Sequence, residues 1–425
     1  MMNFNKNILT LIKGNSFAQI FPLLLSPILT RLYSPSEFGV FALFISLSMI
    51  LGTITAGRYD LTIMLPKKDD SAINLFILGF LITCILSIVL FIFIFLYYDS
   101  LTRLFLLKNI DFPFLLLPIM VFLIGLFNLL NYLNTRMQYF KSISNSLILK
   151  SVSIVSLQLI LSFFKFGSFG LILGQVIGQF VSNMLLLKKV FKEKVLSPNK
   201  MDIVKMIALG KRYISFPKFS MVASLFNTTS YHLTSLMISI LFNISTLGFY
   251  SLTQKVLSAP SSFIGTAISQ VFFRELTIDK QKKVNIESKF FNMLKKLFFI
   301  SIPFLIFLFY IIEDLFAFIF GESWRIAGTF ALIVLPFFYI KFIVSIISVV
   351  LIVYEKQKVE VIWQGFLITI TLIIMLISFY LHMSFENTLI LLSLSWSIHY
   401  LILLLICINI IKKLDCNNYN CTINH

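Results

Sequence analysis

Charged residues are scarce in this sequence, and acidic residues are scarcer than basic ones. Asp, Glu, Lys and Arg together make up 12% of the 425 residues, whereas 58% are hydrophobic and the mean hydropathy is +0.95. A soluble protein of this length needs far more charge to cover its surface. The scarcity therefore excludes a soluble domain and predicts a protein that crosses a membrane many times.

Alternation of polar and apolar residues is missing from the long hydrophobic runs. The run at residues 75–98 reads LFILGFLITCILSIVLFIFIFLYY and has no two-residue period. In lipid, only helices and closed barrels satisfy their own backbone hydrogen bonds, and barrel strands alternate. The sequence therefore predicts an all-α polytopic membrane protein.

Motifs for catalysis and metal binding are also missing. Cys84 and Cys407 lie in apolar runs, and the spacing of Cys416 and Cys421 fits no zinc site. The sequence has no G-x-x-x-x-G-K-[ST], H-E-x-x-H or G-x-S-x-G motif. We therefore expect a protein that is not an enzyme and that holds no metal and no cofactor.

Apolar runs of about 20 residues predict twelve transmembrane helices, because a helix of that length crosses the hydrocarbon core. The predicted spans are 8–32, 38–57, 72–98, 112–135, 143–164, 168–187, 214–241, 246–273, 292–312, 326–353, 359–381 and 387–411. They divide the chain into an N-terminal six-helix lobe (1–190), a cytoplasmic linker (191–213), a C-terminal six-helix lobe (214–411) and a cytoplasmic tail (412–425).

Basic residues predict the orientation of these spans. Most Lys and Arg residues lie in loops on the same side as the two termini, and the opposite side carries Arg31, Arg103, Lys108, Lys165 and Arg325. Basic loops stay in the cytoplasm, so both termini are predicted to be cytoplasmic. Since the net charge of +17 is spread over these loops, it gives no reason to expect nucleic acid as a partner.

A short segment recurs at the same place in each predicted lobe. SEFGVFAL at residues 36–43 aligns with STLGFYSL at residues 245–252, a displacement of 209 positions (245 − 36). Two matched lobes related by an axis along the membrane normal, with the substrate between them, form a recurring transporter plan. The alternative is that glycine after a Ser or Thr cap is ordinary at the start of a helix.

Span 8 contains a lysine at a depth where an ammonium group is unfavourable by about 2.5–3.5 kcal/mol. At about 100° per residue, one arc of the helix collects its polar and small residues, namely Ser251, Gln254, Lys255, Ser258, Ser261, Ser262, Gly265 and Ser269. A lysine that only reaches back to the headgroups needs no such neighbours. The stripe predicts a polar cavity beside Lys255, with close packing through small residues as the alternative.

Spans 1, 2 and 7 carry similar polar faces. Their residues are Lys13, Ser16, Gln19, Ser26, Thr30 and Arg31 in span 1, Ser46, Thr53, Gly57 and Asp60 at span 2, and Ser220, Ser224, Asn227, Tyr231 and Thr234 in span 7. Spans 1, 2, 7 and 8 are the equivalent first pairs of the two lobes. Lys150 and Lys341 have no such stripe, so we expect them to snorkel or to make structural hydrogen bonds. Lys218 lies on the other side of span 7 from its polar face, so we expect it to snorkel.

The predicted cavity is positively charged. Asp60 is the only acidic residue that approaches a polar face, and Arg58 can pair with it. A cationic cavity suits a phosphate or an acidic sugar better than an organic cation. The candidate substrate-binding residues are Lys255, Lys13, Arg58, Arg31, Gln19, Gln254, Asn227 and Tyr231.

Two motifs near the N-terminus carry a family resemblance. LTRLYSPSEFGVFAL, at residues 29–43, has an Arg before a P-x-E-[FY]-G turn, and GRYDLTIMLP, at residues 57–66, has an R-Y-[ED] step before an apolar turn and a Pro. Over residues 13–67 the sequence resembles the bacterial polysaccharide-export flippases, the O-antigen (Wzx-type) transporters of the multidrug/oligosaccharidyl-lipid/polysaccharide (MOP) superfamily. Members of that family often carry Glu where this chain has Asp60.

The resemblance implies two six-helix lobes around a central cavity. It also implies transfer of an undecaprenyl-pyrophosphate-linked oligosaccharide, an O-antigen or capsule repeat unit, from the inner to the outer leaflet of the bacterial cytoplasmic membrane. The cations would hold the diphosphate, and Asp60 is a candidate for coupling to H⁺ or Na⁺. The partners implied are the lipid bilayer and the polymerase and chain-length proteins of the same pathway.

Three other functions stay open at this point. The first is a multidrug exporter of the same fold, which would need an anionic cavity for its cations. The second is a membrane O-antigen polymerase or ligase, which characteristically has a large external loop. The longest polar stretches here, 188–213 and 274–291, are instead predicted to be cytoplasmic, the second as an amphipathic surface segment. The third is a lipid scramblase or a structural assembly partner.

Overall fold

The structure, a computed structural model, describes residues 2–105, 113–196, 201–282, 287–354 and 356–423. Regular structure in these ranges is helical, as predicted. The α-helices are α1 (Met2–Leu24), α2 (Ser26–Leu32), α3 (Pro35–Gly52), α4 (Tyr59–Thr62), α5 (Asp69–Leu96), α6 (Tyr98–Leu104), α7 (Leu116–Arg136), α8 (Phe140–Phe163), α9 (Gly167–Lys192), α10 (Ile203–Arg212), α11 (Met221–Leu241), α12 (Ile244–Pro260), α13 (Thr266–Lys282), α14 (Glu287–Phe320), α15 (Arg325–Ile347), α16 (Val349–Val353), α17 (Gln357–Tyr380) and α18 (Phe385–Ile423).

Ten helical segments of the described chain are long and apolar enough to cross a membrane. They are Pro35–Gly52, Asp69–Leu96, Leu116–Arg136, Phe140–Phe163, Gly167–Lys192, Ile244–Asp279, Glu287–Phe320, Glu322–Val353, Lys358–Tyr380 and Phe385–Lys412. The protein is therefore a multi-pass membrane protein. Predicted spans 1 and 7 also fold as helices, α1–α2 and α11, but they are not among the ten. Polar residues lower the apolar character of both, and these are the residues that form their polar faces.

The chain forms two compact units, Met1–Gly248 and Phe249–His425. In the first unit, α5, α7 and α9 pack around a core that includes Leu75, Leu129 and Leu186, all fully buried. Lipid tails are as apolar as these side chains, so close van der Waals packing rather than exclusion from water stabilises the contact.

In the second unit, α15 is the central helix and packs against α14 and α18. Trp324 is fully buried at the start of α15. The ring of Phe330 lies 4.9 Å from that of Phe385, measured between centroids, and 6.2 Å from that of Phe249. This aromatic cluster joins the first turns of α15 and α18 to α12.

Helices occupy part of both stretches that the sequence indicated as long polar loops. In 188–213, α9 runs on to Lys192 and a separate helix, α10, follows. In 274–291, α13 runs to Lys282 and α14 begins at Glu287. α18 likewise continues through the predicted tail to Ile423. Hydropathy marks where a helix leaves lipid, whereas backbone hydrogen bonding can continue in water.

Predicted span 1 is two helices rather than one. The break between α1 and α2 falls at Leu25, and Pro27 occupies the first turn of α2. Proline has no N–H to give to the preceding turn and its ring crowds the carbonyl four residues earlier, so it favours the start of a helix over its interior.

Candidate substrate-binding residues

A polar seam runs along the contact of α3 with α11 in the first unit. The Thr53 hydroxyl donates to the Thr228 hydroxyl at 3.0 Å. About two helical turns earlier on α3, the Ser46 hydroxyl lies 3.3 Å from Nδ1 of His232 on α11. Water has little access to the helix contact, so these side chains satisfy each other's hydrogen-bonding groups there. Helical periodicity predicted the polar face of Ser46 and Thr53 but not their partners, because pairs 175 or more positions apart leave no local pattern.

Two predicted ligands, Asn227 and Tyr231, lie one turn apart on α11 and are exposed. Tyr231 is 61% exposed. An exposed amide and phenol on one side of a helix can donate to and accept from sugar hydroxyls. Thr234, predicted to share this face, is instead buried.

A turn with unusual backbone geometry follows α3. Gly57 and Arg58 have φ of 56° and 60°, in the left-handed region, which is unfavourable for a residue with a side chain. The turn brings Nη1 of Arg58 to 3.9 Å from Oδ2 of Asp60. The predicted Arg58–Asp60 pair is therefore present in the structure.

Asp60 is 2% exposed, and this carboxylate is not fully satisfied. Its Oδ1 and the Nε of Arg58 are buried without a hydrogen-bond partner among the described residues. Burial raises the pKa of the Asp60 carboxyl, while Arg58 and the backbone N–H of Leu61 hold that pKa down in part. The arrangement favours a carboxyl that takes up a proton more readily than an ordinary surface aspartate.

Arg136, at the end of α7, fixes the segment that follows this turn. Its Nη1 and Nη2 donate to the carbonyls of Ile63 and Pro66, at 2.9 and 2.8 Å, and its Nε donates to Asp69 at 2.9 Å. A planar guanidinium can hold several acceptors at once. Arg136, predicted only as a basic loop residue, thus has a structural part in positioning the Asp60 segment.

The remaining predicted ligands of the first unit lie on other helices. Lys13 and Gln19 are exposed on α1, and Arg31 is exposed on α2. α1 packs along α8, where a Cβ on Gly14 would overlap the side chain of Ser144. The structure thus pairs Arg58 with Asp60 and groups Asn227 with Tyr231, and it places the three N-terminal candidates separately.

In the second unit, Lys255 is exposed on α12. Ser251, Gln254 and Ser258 are half-buried beside it, and Gln254 donates to the Tyr250 hydroxyl at 3.2 Å. The opposite side of α12 packs on the protein, because the buried Thr253 donates to the carbonyl of Ala327. Lys255 therefore has polar neighbours on a helix that is otherwise apolar enough to cross a membrane.

The far end of the predicted stripe differs from the structure. A π-helical turn, Ser261–Gly265, follows Pro260 and adds about one residue to the turn. The residues beyond it are rotated by about a quarter turn from the face that 100° per residue predicts. Gly265 is consequently buried, with Phe342 and Ile346 of α15 as its neighbours. The prediction that Gly265 shares the open face of Lys255 is wrong.

Comparison with protein families decides the relationship of the chain. A family described as "Polysaccharide biosynthesis protein" matches residues 28–329, which are 302 of 425 residues (329 − 28 + 1). The chain belongs to this polysaccharide biosynthesis family. The predicted recognition is thereby confirmed at the level of the family. No curated protein matches the sequence.

Solved structures show how widely this family's fold is shared. Lipid II flippase MurJ, in an inward closed conformation, is 16% identical, with a TM-score of 0.69 over 98% of this chain and 89% of that chain. An inward-facing multidrug resistance MATE family transporter of the MOP superfamily is 14% identical, with a TM-score of 0.66 over 95% of this chain and 94% of that chain. A MOP superfamily transporter from Pyrococcus furiosus is 15% identical, with a TM-score of 0.50 over 96% and 94%. This chain thus has the fold of the MATE and MurJ transporters.

The two motifs on which the family resemblance rests, residues 29–43 and 57–66, also stabilise the fold of this member of the polysaccharide biosynthesis family. Ser34 and Glu37 form a capping box that starts α3, with Pro35 at the first position. The buried Tyr33 donates to the carbonyl of Gln158 at 2.6 Å. In the second motif, Tyr59 donates to the carbonyl of Gly210 at 2.9 Å. The motifs therefore position helices as well as supplying charge.

Proposed function

We propose that this protein is a flippase that moves an undecaprenyl-pyrophosphate-linked oligosaccharide, an O-antigen or capsule repeat unit, across the bacterial cytoplasmic membrane. It transfers the lipid from the inner to the outer leaflet by alternating access and catalyses no covalent chemistry. Both termini lie in the cytoplasm in this proposal, since the basic loops are on their side. The polymerase and chain-length proteins of the same pathway are its proposed partners.

One observation carries the proposal: an exposed lysine stands in a polar stripe within a membrane-crossing helix of a polysaccharide biosynthesis protein. Lys255 is that lysine, and Ser251, Gln254 and Ser258 are its half-buried neighbours. A diphosphate offers several acceptor oxygens to an ammonium group, and amides and hydroxyls suit a glycan. Lys13, Arg31 and Arg58 are further cations that the proposal assigns to the diphosphate. Gln19, Asn227 and Tyr231 are assigned to the sugar.

The shared fold alone does not select a substrate, since MOP structures include a multidrug resistance transporter and a lipid II flippase. The Pyrococcus furiosus transporter is described as having a binding pocket of reverse polarity that suggests a different function. Pocket charge therefore distinguishes proteins of this fold. A multidrug exporter remains the second candidate, and the charge of the Lys255 stripe argues against it.

Flipping by the purified protein tests the proposal. The protein would be reconstituted in vesicles that carry a fluorescent polyprenyl-pyrophosphate glycan in the outer leaflet, and the fraction protected from a membrane-impermeant quencher would be followed. We expect protection to rise several-fold faster than in protein-free vesicles. A cationic dye in the same vesicles is the control for drug export. Transport of the dye without transport of the glycan lipid would overturn the proposal.

We further propose that Asp60 couples transport to H⁺ or Na⁺. Among the described residues, Arg58 and the Tyr132 hydroxyl on α7 are the ionisable groups within electrostatic reach of this carboxyl. Because its pKa is raised from an ordinary value of about 4, protonation begins at a higher pH than at the surface. The proton stabilises the buried carboxyl below that raised pKa and is released as pH rises through it.

Asp60→Asn should remove this coupling. The amide is permanently neutral, so glycan transport should lose its dependence on an imposed pH or Na⁺ gradient. Asp70→Asn is the matched control, because Asp70 is an exposed carboxylate at the start of α5. Transport by both variants would be measured in vesicles with and without each gradient. Gradient-driven transport that persists in Asp60→Asn would show that the coupling group lies elsewhere.

A further inference from the structure

A short amphipathic helix, α10, follows the first six-helix region and has three distinct sides. Met206 is buried and Leu209 and Gly210 are half-buried, so this side faces the first unit. Ile203, Val204 and Ile207 are exposed at 69%, 76% and 55%. At about 100° per residue, these three occupy one arc of about 100° beside the protein-facing side.

Basic residues occupy the third side. At about 100° per residue, Lys205 and Arg212 lie about 20° apart and about 140° from the middle of the exposed apolar arc. Both are exposed, as is Lys211, which lies at the C-terminal end of the helix on the side of the apolar arc. Lys205 also pairs with Asp202, whose carboxylate caps the helix. A helix with one apolar side and one basic side matches the interface of an anionic bilayer.

Contacts with α5 place α10 at the depth of that interface. The backbone N–H of Asp202 donates to the side chain of Asn74 at 2.9 Å, and a Cβ on Gly210 would meet Leu78 at 3.1 Å. Asn74 and Leu78 lie about 8–14 Å from the start of α5, at 1.5 Å per residue. α5 begins with the exposed pair Asp69 and Asp70, and its exposed apolar residues begin at Leu81 and continue with Ile85 and Ile88. α10 thus sits between the charged end and the lipid-facing part of α5.

We propose that α10 lies in the headgroup layer of the membrane as an interfacial anchor. Ile203, Val204 and Ile207 insert among acyl chains, while Lys205 and Arg212 contact the phosphates of anionic lipids and the ammonium group of Lys211 reaches them from the end of the apolar arc. The carbon stems of the basic side chains span the boundary between the two layers.

A hydrogen bond joins the anchor to the Asp60 segment. Tyr59, the residue before Asp60, donates to the carbonyl of Gly210 in the last turn of α10. A helix held by lipid therefore restrains the strained turn of Gly57 and Arg58 from the membrane side. A change in lipid composition can therefore alter the geometry of the Arg58–Asp60 pair through this hydrogen bond.

Spin labels on α10 test the proposal in vesicles of phosphatidylcholine and phosphatidylglycerol. Single cysteines would be introduced as Val204→Cys, Ile207→Cys, Lys205→Cys and Arg212→Cys in a chain in which Cys84 and Cys407 are replaced by Ala and Cys416 and Cys421 by Ser. Labels at 204 and 207 should be several-fold more accessible to oxygen, which dissolves in lipid, than to a water-soluble nickel complex. Labels at 205 and 212 should show the reverse ratio.

A second measurement needs no substitution. A carbene probe dissolved in the bilayer should label the peptide that contains residues 201–212 of the unmodified protein, and labelling should fall when phosphatidylglycerol is omitted. Equal water accessibility at 204 and 205, or an unlabelled peptide, would overturn the lipid anchor and leave the apolar side for a protein partner. Neither measurement requires transport, so the result is independent of the proposed substrate.

Discussion

Lys255→Ala is expected to lower glycan export to a small fraction of its normal level without lowering the amount of protein in the membrane. Lys255 is exposed on α12, so removing its side chain opens no cavity in the core. A hydrogen bond to a charged group contributes about 1.5–3 kcal/mol. Losing that contact with a diphosphate corresponds to a fall of about 10- to 100-fold in flipping rate. The rate would be measured with the fluorescent glycan lipid in vesicles, and surface glycan would be measured in cells.

Two further variants separate charge from structure at Lys255. Lys255→Arg keeps the positive charge and should retain part of the rate. Lys150→Met is the matched control, because Lys150 lies within α8 with its Nζ 5.4 Å from the centre of the Phe127 ring. That variant should export normally per molecule of protein. If Lys255→Ala exports normally, Lys255 is structural and the diphosphate is bound by other cations.

Gly39→Ala and Gly248→Ala are each expected to destabilise the protein severely. A Cβ on Gly39 would overlap the carbonyl oxygen of Ile244, and a Cβ on Gly248 would overlap the carbonyl oxygen of Pro35. A Cβ built on either glycine would also lie 3.1 Å from the backbone nitrogen of the other. Backbone atoms cannot rotate away as a side chain can, so the helices must separate. We expect the free energy of unfolding to fall by about 3 kcal/mol or more, which is the upper end of the range for overpacked sites.

Gly365→Ala is the control for this effect. Gly365 lies in the middle of α17, and nothing lies within 4 Å of a Cβ built there. Alanine has the better helix propensity by about 1 kcal/mol, so this variant should melt at the same temperature or slightly higher. Thermal unfolding in detergent compares the three variants. If Gly39→Ala melted with Gly365→Ala, the close helix crossing would not exist in the folded protein.

The same glycines give physical content to the repeat found in the sequence. The displacement of 209 relates Gly39 to Gly248 and Pro35 to Ile244 (35 + 209 = 244). In the structure Gly39 faces Ile244 and Gly248 faces Pro35, so equivalent residues exchange the same contact. This is the self-complementary pattern that a two-fold axis produces. Glycine after a helix cap would not by itself require this contact. The close approach therefore explains why both segments need Gly at this position.

Several local features of the candidate residues were predictable. Apolar runs identified the ten helical segments of the described residues that are long and apolar enough to cross a membrane, because a span needs about 20 apolar residues in succession. The pairing of Arg58 with Asp60 followed from two opposite charges separated by one residue. The position of Lys255 among Ser251, Gln254 and Ser258 followed from helical periodicity, and it held as far as Pro260.

Other features could not be predicted, and each depends on contacts between distant residues. The π-helical turn after Pro260 changes the side on which Gly265 lies, because a π-helix turns less than 100° per residue. The predicted cytoplasmic linker, 191–213, contains the helix α10, which hydrogen bonds to Tyr59 and Asn74 hold against the rest of the first unit. Thr228 and His232 entered the polar seam only because α11 packs on α3.

The division between the two kinds of feature has one physical origin. Hydropathy, charge and helix periodicity depend on a residue and its near neighbours, so the all-α membrane class and the polar stripes were readable from the chain of letters. Which backbone atoms meet across 150 or more positions depends on packing, where a single Cβ decides whether two helices can touch. Only the folded chain therefore revealed the contact of Gly39 with Gly248 and the bond that joins Tyr59 to α10.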